Sequence, residues 1–224
     1  MSIPVLFEDR FLIVCEKPVG LSSEEEMCVL LQTQTGAKQV YCVHRLDKAV
    51  GGVMVYARDG KTAAGLSALL ADKDAVAKEY LAVVQGVPAE EKGVLRDLLF
   101  HDAAMNKTYV VQRERRGVKA AELEYALLQS IESERGALSL LRIRLHTGRS
   151  HQIRVQFASR RLPLVGDAKY GGSIRGCGLA LLSHRLSFPH PVTGQRMDFS
   201  VLPSGAYPWN LFDAMPPIGQ NATT

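Results

Sequence analysis

The chain has 224 residues, 46% of them hydrophobic and 22% charged, a balance that excludes intrinsic disorder and leaves material for a sizeable core. Net charge is only +4, but residues 107–175 hold 14 Lys and Arg against 6 Asp and Glu, while residues 1–106 hold 11 against 15. A basic block of this kind suits either an anionic polymer or an unbalanced solvated face.

The N-terminal "MSIPVLFEDR" has no basic leader and too short an apolar run for a signal peptide, and no apolar stretch is long enough to span a bilayer, so the cytoplasm is the expected location. Runs rich in Val, Ile and Leu at 3–7 and 10–16 predict two strands. "SSEEEMCVLLQTQ", 22–34, opens with Ser and Glu residues that favour a helix start. A strand at 39–43 leads into "HRLDKAVGG", 44–52, and another follows at 52–57. "KTAAGLSALLAD", 61–72, is rich in Ala and Leu and predicts a second helix. Further strands are expected at 79–85, 107–112, 121–128, 137–145, 179–187 and 196–201. Between them, "SHQIRVQFASR", 150–160, predicts a third helix, with Ser150 as its cap and Ile153 and Phe157 on one face. "DAMPPIGQNATT" has little to bury, and residues 214–224 are expected to form a loose tail behind a single domain spanning 1–213.

Cys15, Cys28, Cys42 and Cys177 lack the short spacing of a zinc knuckle or a redox pair and read as free thiols. His146 and His151 are five apart with no second ligand pair, so no metal site is indicated. Three stretches remain that can carry chemistry. Asp47 follows the apolar "VYCV" and precedes Gly51 and Gly52, which permit a tight turn or a close backbone approach. Alone, such an Asp is an ordinary turn residue. A kinase catalytic loop is excluded because Leu46 breaks the His-Arg-Asp spacing and no Asp-Phe-Gly follows. "AKEYLAVVQG", 77–86, sets Lys78 and Tyr80 on one side of a strand, with Leu81 and Val83 opposite. "LHTGRSHQIRVQFA", 145–158, followed by "PLVGDAKYGG", 163–172, is dense in donors: Arg149, His151, Gln152 and Arg154. It reads equally as an amphipathic helix with a wet face.

Taken together and in this order, HRLD, KEYLAVVQG, TGRSHQIRV and PLVGDAKYGG resemble the RluA-type RNA pseudouridine synthases. The opening "VLFEDRFLIVCEKPVGL" and the closing "FPHPVTGQRMDFS" extend that resemblance over most of the chain. It implies an α+β fold, a mixed and mostly antiparallel sheet with flanking helices and a central RNA-binding cleft, without the small N-terminal S4-type module of many relatives. It implies no cofactor and no metal, and as partner a structured RNA, ribosomal or transfer, bound by a monomer away from any membrane. By position Asp47 matches the catalytic aspartate, Tyr80 the active-site tyrosine, and Arg154 the arginine that pairs with the aspartate. Arg45 matches a residue that displaces the target nucleotide, and His44, Lys17, Arg149 and His151 are expected to contact RNA. The chain departs from the family pattern at Val50 and Gly51, where Thr-Ser is usual, and at Gln156, where His is frequent. The alternatives of a different class are a catalytically silent RNA-binding protein of the same fold and an N-glycosidase that releases uracil.

Overall fold

The computed structural model describes residues 1–72, 74–174 and 176–217. They form two compact units, one built mainly from Met1–Lys78 with Leu182–Leu202, the other from Glu79–Leu181 with Pro203–Pro216. Among the described residues no helix is long and apolar enough to cross a membrane.

In the first unit β1 (Val5–Glu8), β2 (Leu12–Lys17), β4 (Gly51–Ala57), β10 (Leu181–Pro189) and β11 (Arg196–Ser200) lie side by side, and the short β3 (Tyr41–Cys42) also pairs with β4. Every residue of β4, "GGVMVYA", is buried, which explains its unbroken apolar run. Its contact with β10 is parallel, Leu182 opposite Gly51 and Ser183 opposite Gly52, whereas the other pairings are antiparallel. Gly52 makes that contact possible: it has φ +116°, and a Cβ there would stand 2.2 Å from the Ser183 carbonyl oxygen.

Two helices cover this sheet. α1 (Glu26–Thr35) buries Met27 and Leu31, one turn apart. Its cap position, Glu25, makes no side-chain cap bond; in the turn before it the Ser22 hydroxyl accepts from the Glu25 and Glu26 amides while the Glu26 carboxylate accepts from the Ser22 amide, a reciprocal pairing that accounts for the Ser-Glu signal. α2 (Gly60–Ala71) is capped by Asp59, which accepts from the Thr62 amide at 2.8 Å.

The second unit is an antiparallel sheet in the order β5 (Ala77–Gln85), β9 (Gly136–Leu145), β8 (Val118–Ser133), β6 (Lys92–Asp102) and β7 (Lys107–Val111). Its core joins Val83, Leu138, Leu140, Val165, Ile174, Ala180 and Phe212, and a second cluster packs Leu99 and Ala121 against Val155 of α3 (Gln152–Ala158). β6 has no counterpart among the sequence expectations. "KGVLRDLLFHD" buries only Leu95 and Leu99, four apart, with charged residues between them, so the period-two signal of a half-buried strand is missing.

The expected cap of α3 is also corrected. His151, not Ser150, occupies the cap position, in the left-handed region at φ 54°, and the Ser150 carbonyl instead accepts the Thr108 hydroxyl. At the start of the expected tail, Ala214 donates to the Gln129 side chain and Met215 packs on the core; residues 218–224 lie outside the described set.

Gly52→Ala should destabilise the fold by about 3 kcal/mol, because backbone strain and a clash with the rigid Ser183 carbonyl act together. Urea denaturation measures it, and a loss under about 1 kcal/mol would mean that β4 and β10 separate easily.

Candidate active site

The loop between β3 and β4 carries Asp47. β3 ends at Cys42, and the next acceptor for β4 is a side chain: Nε2 of His44 accepts the Val55 amide at 3.1 Å. That bond requires a lone pair on Nε2 and so fixes the proton on Nδ1. Burial, helped by the nearby Lys78 ammonium, pushes the His44 pKa down to about 3, so the ring is neutral wherever the protein works. His44 was expected to face RNA; its ring instead continues the β ladder.

Ser23 pins Leu46, the residue before Asp47. Its buried hydroxyl accepts the Leu46 amide at 3.0 Å and donates to the Leu46 carbonyl at 3.1 Å, and Tyr56 in turn donates to the Ser23 carbonyl. On the other side the Gly20 amide bonds the Lys48 carbonyl at 2.7 Å, and the Val50 amide closes a turn onto the Asp47 carbonyl at 2.9 Å. Asp47 is thus a half-buried carboxylate on a loop fixed both before and after it. Arg45 projects outward, its side chain largely exposed and 3.6 Å from the equally exposed Glu24, a pairing too weak to hold it.

The family departures acquire a local meaning. Val50 is 2% exposed and anchors the loop in the core, where a threonine would bring a hydroxyl needing a partner. A Cβ at Gly51 would meet the Lys17 carbonyl at 3.0 Å and Val19 at 3.3 Å, so a serine there would press on β2.

Lys17 is corrected outright. It is 0% exposed, and its ammonium donates to the Pro18 and Leu21 carbonyls at 2.9 and 2.8 Å, so it folds the segment after β2 rather than offering a surface cation to RNA. Burial pushes its pKa down to about 8, against the opposing pull of Asp47 and Glu26.

In the second unit Tyr80 lies on β5, 9% exposed, with its neighbours Leu81 to Val84 fully buried, so the strand has no polar face along this stretch. Arg154 on α3 is 7% exposed, and its Nε and Nη2 donate at 2.7 and 2.8 Å to the two oxygens of Asp167, which is 1% exposed. The Arg154 guanidinium also stacks on the Tyr170 ring, 5.0 Å from its centroid. Both partners come from "GDAKYGG", whose role in holding the arginine was not foreseen.

His151 and Tyr170 form a second link. The Tyr170 hydroxyl accepts the Thr108 amide at 2.7 Å and lies 2.8 Å from His151 Nδ1. Gln152, 3% exposed, accepts from the Thr147 hydroxyl and the Arg149 amide and donates to the Glu122 carbonyl, shaping the turn that presents the exposed Arg149. Gln156 donates to Asp97 at 2.7 Å and to the Leu95 carbonyl, tying α3 to β6. Among the described residues no cluster of three or more His, Cys, Asp and Glu is arranged to hold a metal ion.

A model of the RNA pseudouridylate synthase family matches residues 11–159. This chain belongs to that family. Enzymes of the family are isomerases. Relatives include an uncharacterized RNA pseudouridine synthase of Aquifex aeolicus, 30% identical over 90% of this chain and 69% of that protein. The ribosomal large subunit pseudouridine synthase D of Zymomonas mobilis is 30% identical over 89% and 68%, and the tRNA pseudouridine synthase C of Pasteurella multocida 28% over 88% and 90%. The chain therefore spans about two thirds of the length of the first two and most of the third. Among solved structures, human RNA pseudouridylate synthase domain containing 4 superposes with a TM-score of 0.73 at 25% identity, covering 90% of this chain and 89% of that one. Human RNA pseudouridylate synthase domain containing 1, at 18% identity and a TM-score of 0.75 over 90% and 84%, shares the fold.

The buried Lys17 of this family member has a pH signature. Its folded pKa of about 8 lies below the ordinary value of 10.5, so at and below neutral pH the fold bears the whole cost of a desolvated ammonium. Between about pH 8 and 10.5 the unfolded chain binds more protons than the native one, and this contribution to stability rises with pH. The stability of wild type minus that of Lys17→Met should therefore increase across this window in urea titrations; a flat or falling difference would contradict the assignment.

Proposed function

We propose that this protein isomerises specific uridines of ribosomal or transfer RNA to pseudouridine, with Asp47 as its catalytic carboxylate. Membership of the family supports the reaction class, and the names of relatives such as the large-subunit synthase D and the tRNA synthase C support the substrate class. The observation that carries the role of Asp47 is the loop itself: a half-buried carboxylate with fixed neighbours on both sides, bordered by the exposed Arg45. A loop built only to turn would not need a buried serine and an imidazole to hold it.

The reaction breaks the bond from N1 to C1′, turns the captive uracil, and rejoins it through C5, which loses its proton while N1 gains one. RNA mass is conserved and no redox partner is consumed. An ionised aspartate is a competent nucleophile at neutral pH without an activating base. Attack at C1′, addition at C6 and proton abstraction from C2′ are three routes, and each uses Asp47. Arg154, whose orientation is set by Asp167, is assigned to steadying the aspartate. Tyr80 supplies a flat face for the detached uracil, and its hydroxyl assists removal of the C5 proton. The target nucleotide is flipped out of its stack, with Arg45 taking the vacated place, and Arg149 and His151 contact the RNA around it. Recognition of such RNA rests on shape and exposed loop bases more than on duplex sequence.

The test uses RNA carrying tritium at uridine C5. Wild type should release tritium to solvent, and Asp47→Asn should lower the single-turnover rate at least about a thousandfold. Comparable release by the variant would remove Asp47 from the chemistry, and loss of RNA mass would indicate base release in place of isomerisation.

A further inference from the structure

We propose that the second unit carries a phosphate-binding pocket for the RNA backbone, formed around Lys119 and Arg149 and walled by His101. The assignment of RNA as its ligand rests on the functional reading above. The pocket is a cavity of about 270 Å³, and no acidic side chain lines it. Two other concavities of the same unit differ in this respect: one sets Arg96 against Asp97 and Glu122, and the other sets Lys92, Arg142 and Arg144 against Glu79 and Glu124. Both of those carry carboxylates that would repel a phosphate, whereas this one leaves two cations and no acid facing a space large enough for a phosphodiester and part of its sugar.

The cations come from separate segments, Lys119 from β8 and Arg149 from the turn after β9, so their convergence is a product of the fold. Gly117 and Gly148 line the same cavity, so no side chain at those two positions shields the backbone from a close-lying strand. The walls are held in place. Arg149 Nε donates to the Ala120 carbonyl at 3.0 Å and its amide to Gln152, which fixes the root of the side chain. The Thr108 hydroxyl donates to the Ser150 carbonyl at 2.8 Å and lies 3.0 Å from His101 Nδ1, which orients the ring. In the segment leading to Gly117, Arg113, Arg115 and Arg116 are exposed together with one acid, Glu114, and Arg115 stacks 4.7 Å above Phe100. A pocket with cationic walls and an apolar base at Leu99 grips a backbone without reading its bases.

The test is fluorescence anisotropy of the full chain with a labelled unmodified tRNA transcript and a labelled large-subunit rRNA transcript, between about 50 and 200 mM NaCl. Lys119→Gln and Arg149→Gln should each weaken binding on the order of tenfold at the lower salt, and each should reduce the slope of log Kd against log salt by about 0.7 to 0.9, the signature of one lost phosphate contact. Lys119→Arg should retain the wild-type slope, separating lost charge from lost fold. Wild-type Kd and slope in both Gln variants would overturn the pocket. Inorganic phosphate should displace the transcripts from wild type better than chloride does at equal ionic strength, and phosphate binding that leaves transcript affinity unchanged would overturn the assignment to an RNA backbone. Tritium release on the same transcripts reads the isomerase proposal separately: an inactive wild type whose slope still falls in the variants refutes the enzyme and retains the pocket.

Discussion

The loop that carries Asp47, the carboxylate proposed to be catalytic, is held by side chains standing in for backbone. β3 is two residues long and cannot supply β4 with acceptors along its whole edge, so the His44 ring takes the Val55 amide. The Ser23 hydroxyl serves both the amide and the carbonyl of Leu46, bonds that a neighbouring strand would otherwise make. Each is worth about 1 kcal/mol in net stability, but each buried group would cost about 1 to 3 kcal/mol if left unpaired, so the loop has one well-satisfied conformation. Gly52 completes the device from below, since only a residue without Cβ lets β10 lie against the strand that leaves the loop.

The second unit solves a different problem, that of keeping a guanidinium in place away from water. Desolvating Arg154 is expensive unless its partner is close, bidentate and itself satisfied. Asp167 meets those conditions: besides both bonds from Arg154, its Oδ1 accepts from the Lys169 and Tyr170 amides at 3.2 and 3.3 Å. Tyr170 adds a π face on the arginine and reaches the Thr108 amide, so one short motif, "GDAKYGG", orients a charge on α3 and ties it to β7. The glycines of that motif look like turn punctuation, yet its acid and its tyrosine do the positioning.

Much of this fold is legible in the chain because β2, β4, β5 and β9 are buried and apolar enough to announce themselves, because Asp59 caps α2, and because Ser22 and Glu26 pair at the turn into α1. β6 is not legible: its stability comes from ladders to β7 and β8, and its side chains divide between solvent and a narrow apolar contact. The motifs single out Asp47, Tyr80 and Arg154, but sequence gives no sign that Lys17 is sealed inside, because a lysine beside Pro-Val-Gly reads as surface until its carbonyl partners are seen. Ser23 is equally silent, one serine of a pair in a helix-start signal that Ser22 explains by itself. Ser150 was a reasonable cap by composition, but His151 takes the left-handed position and the Ser150 carbonyl is engaged with Thr108.

The central claim is that position matters as much as charge: the loop places one carboxylate at one depth. Single-turnover pseudouridine formation by Asp47→Glu measures this directly, since the substitution keeps the acid and moves it by a methylene. With unfolding by urea unchanged, a fall of at least about a hundredfold in rate is expected, the scale set by an ångström of misplacement. A glutamate variant turning over within about threefold of wild type would contradict the account, because the rigidity of the loop would then have no catalytic purpose.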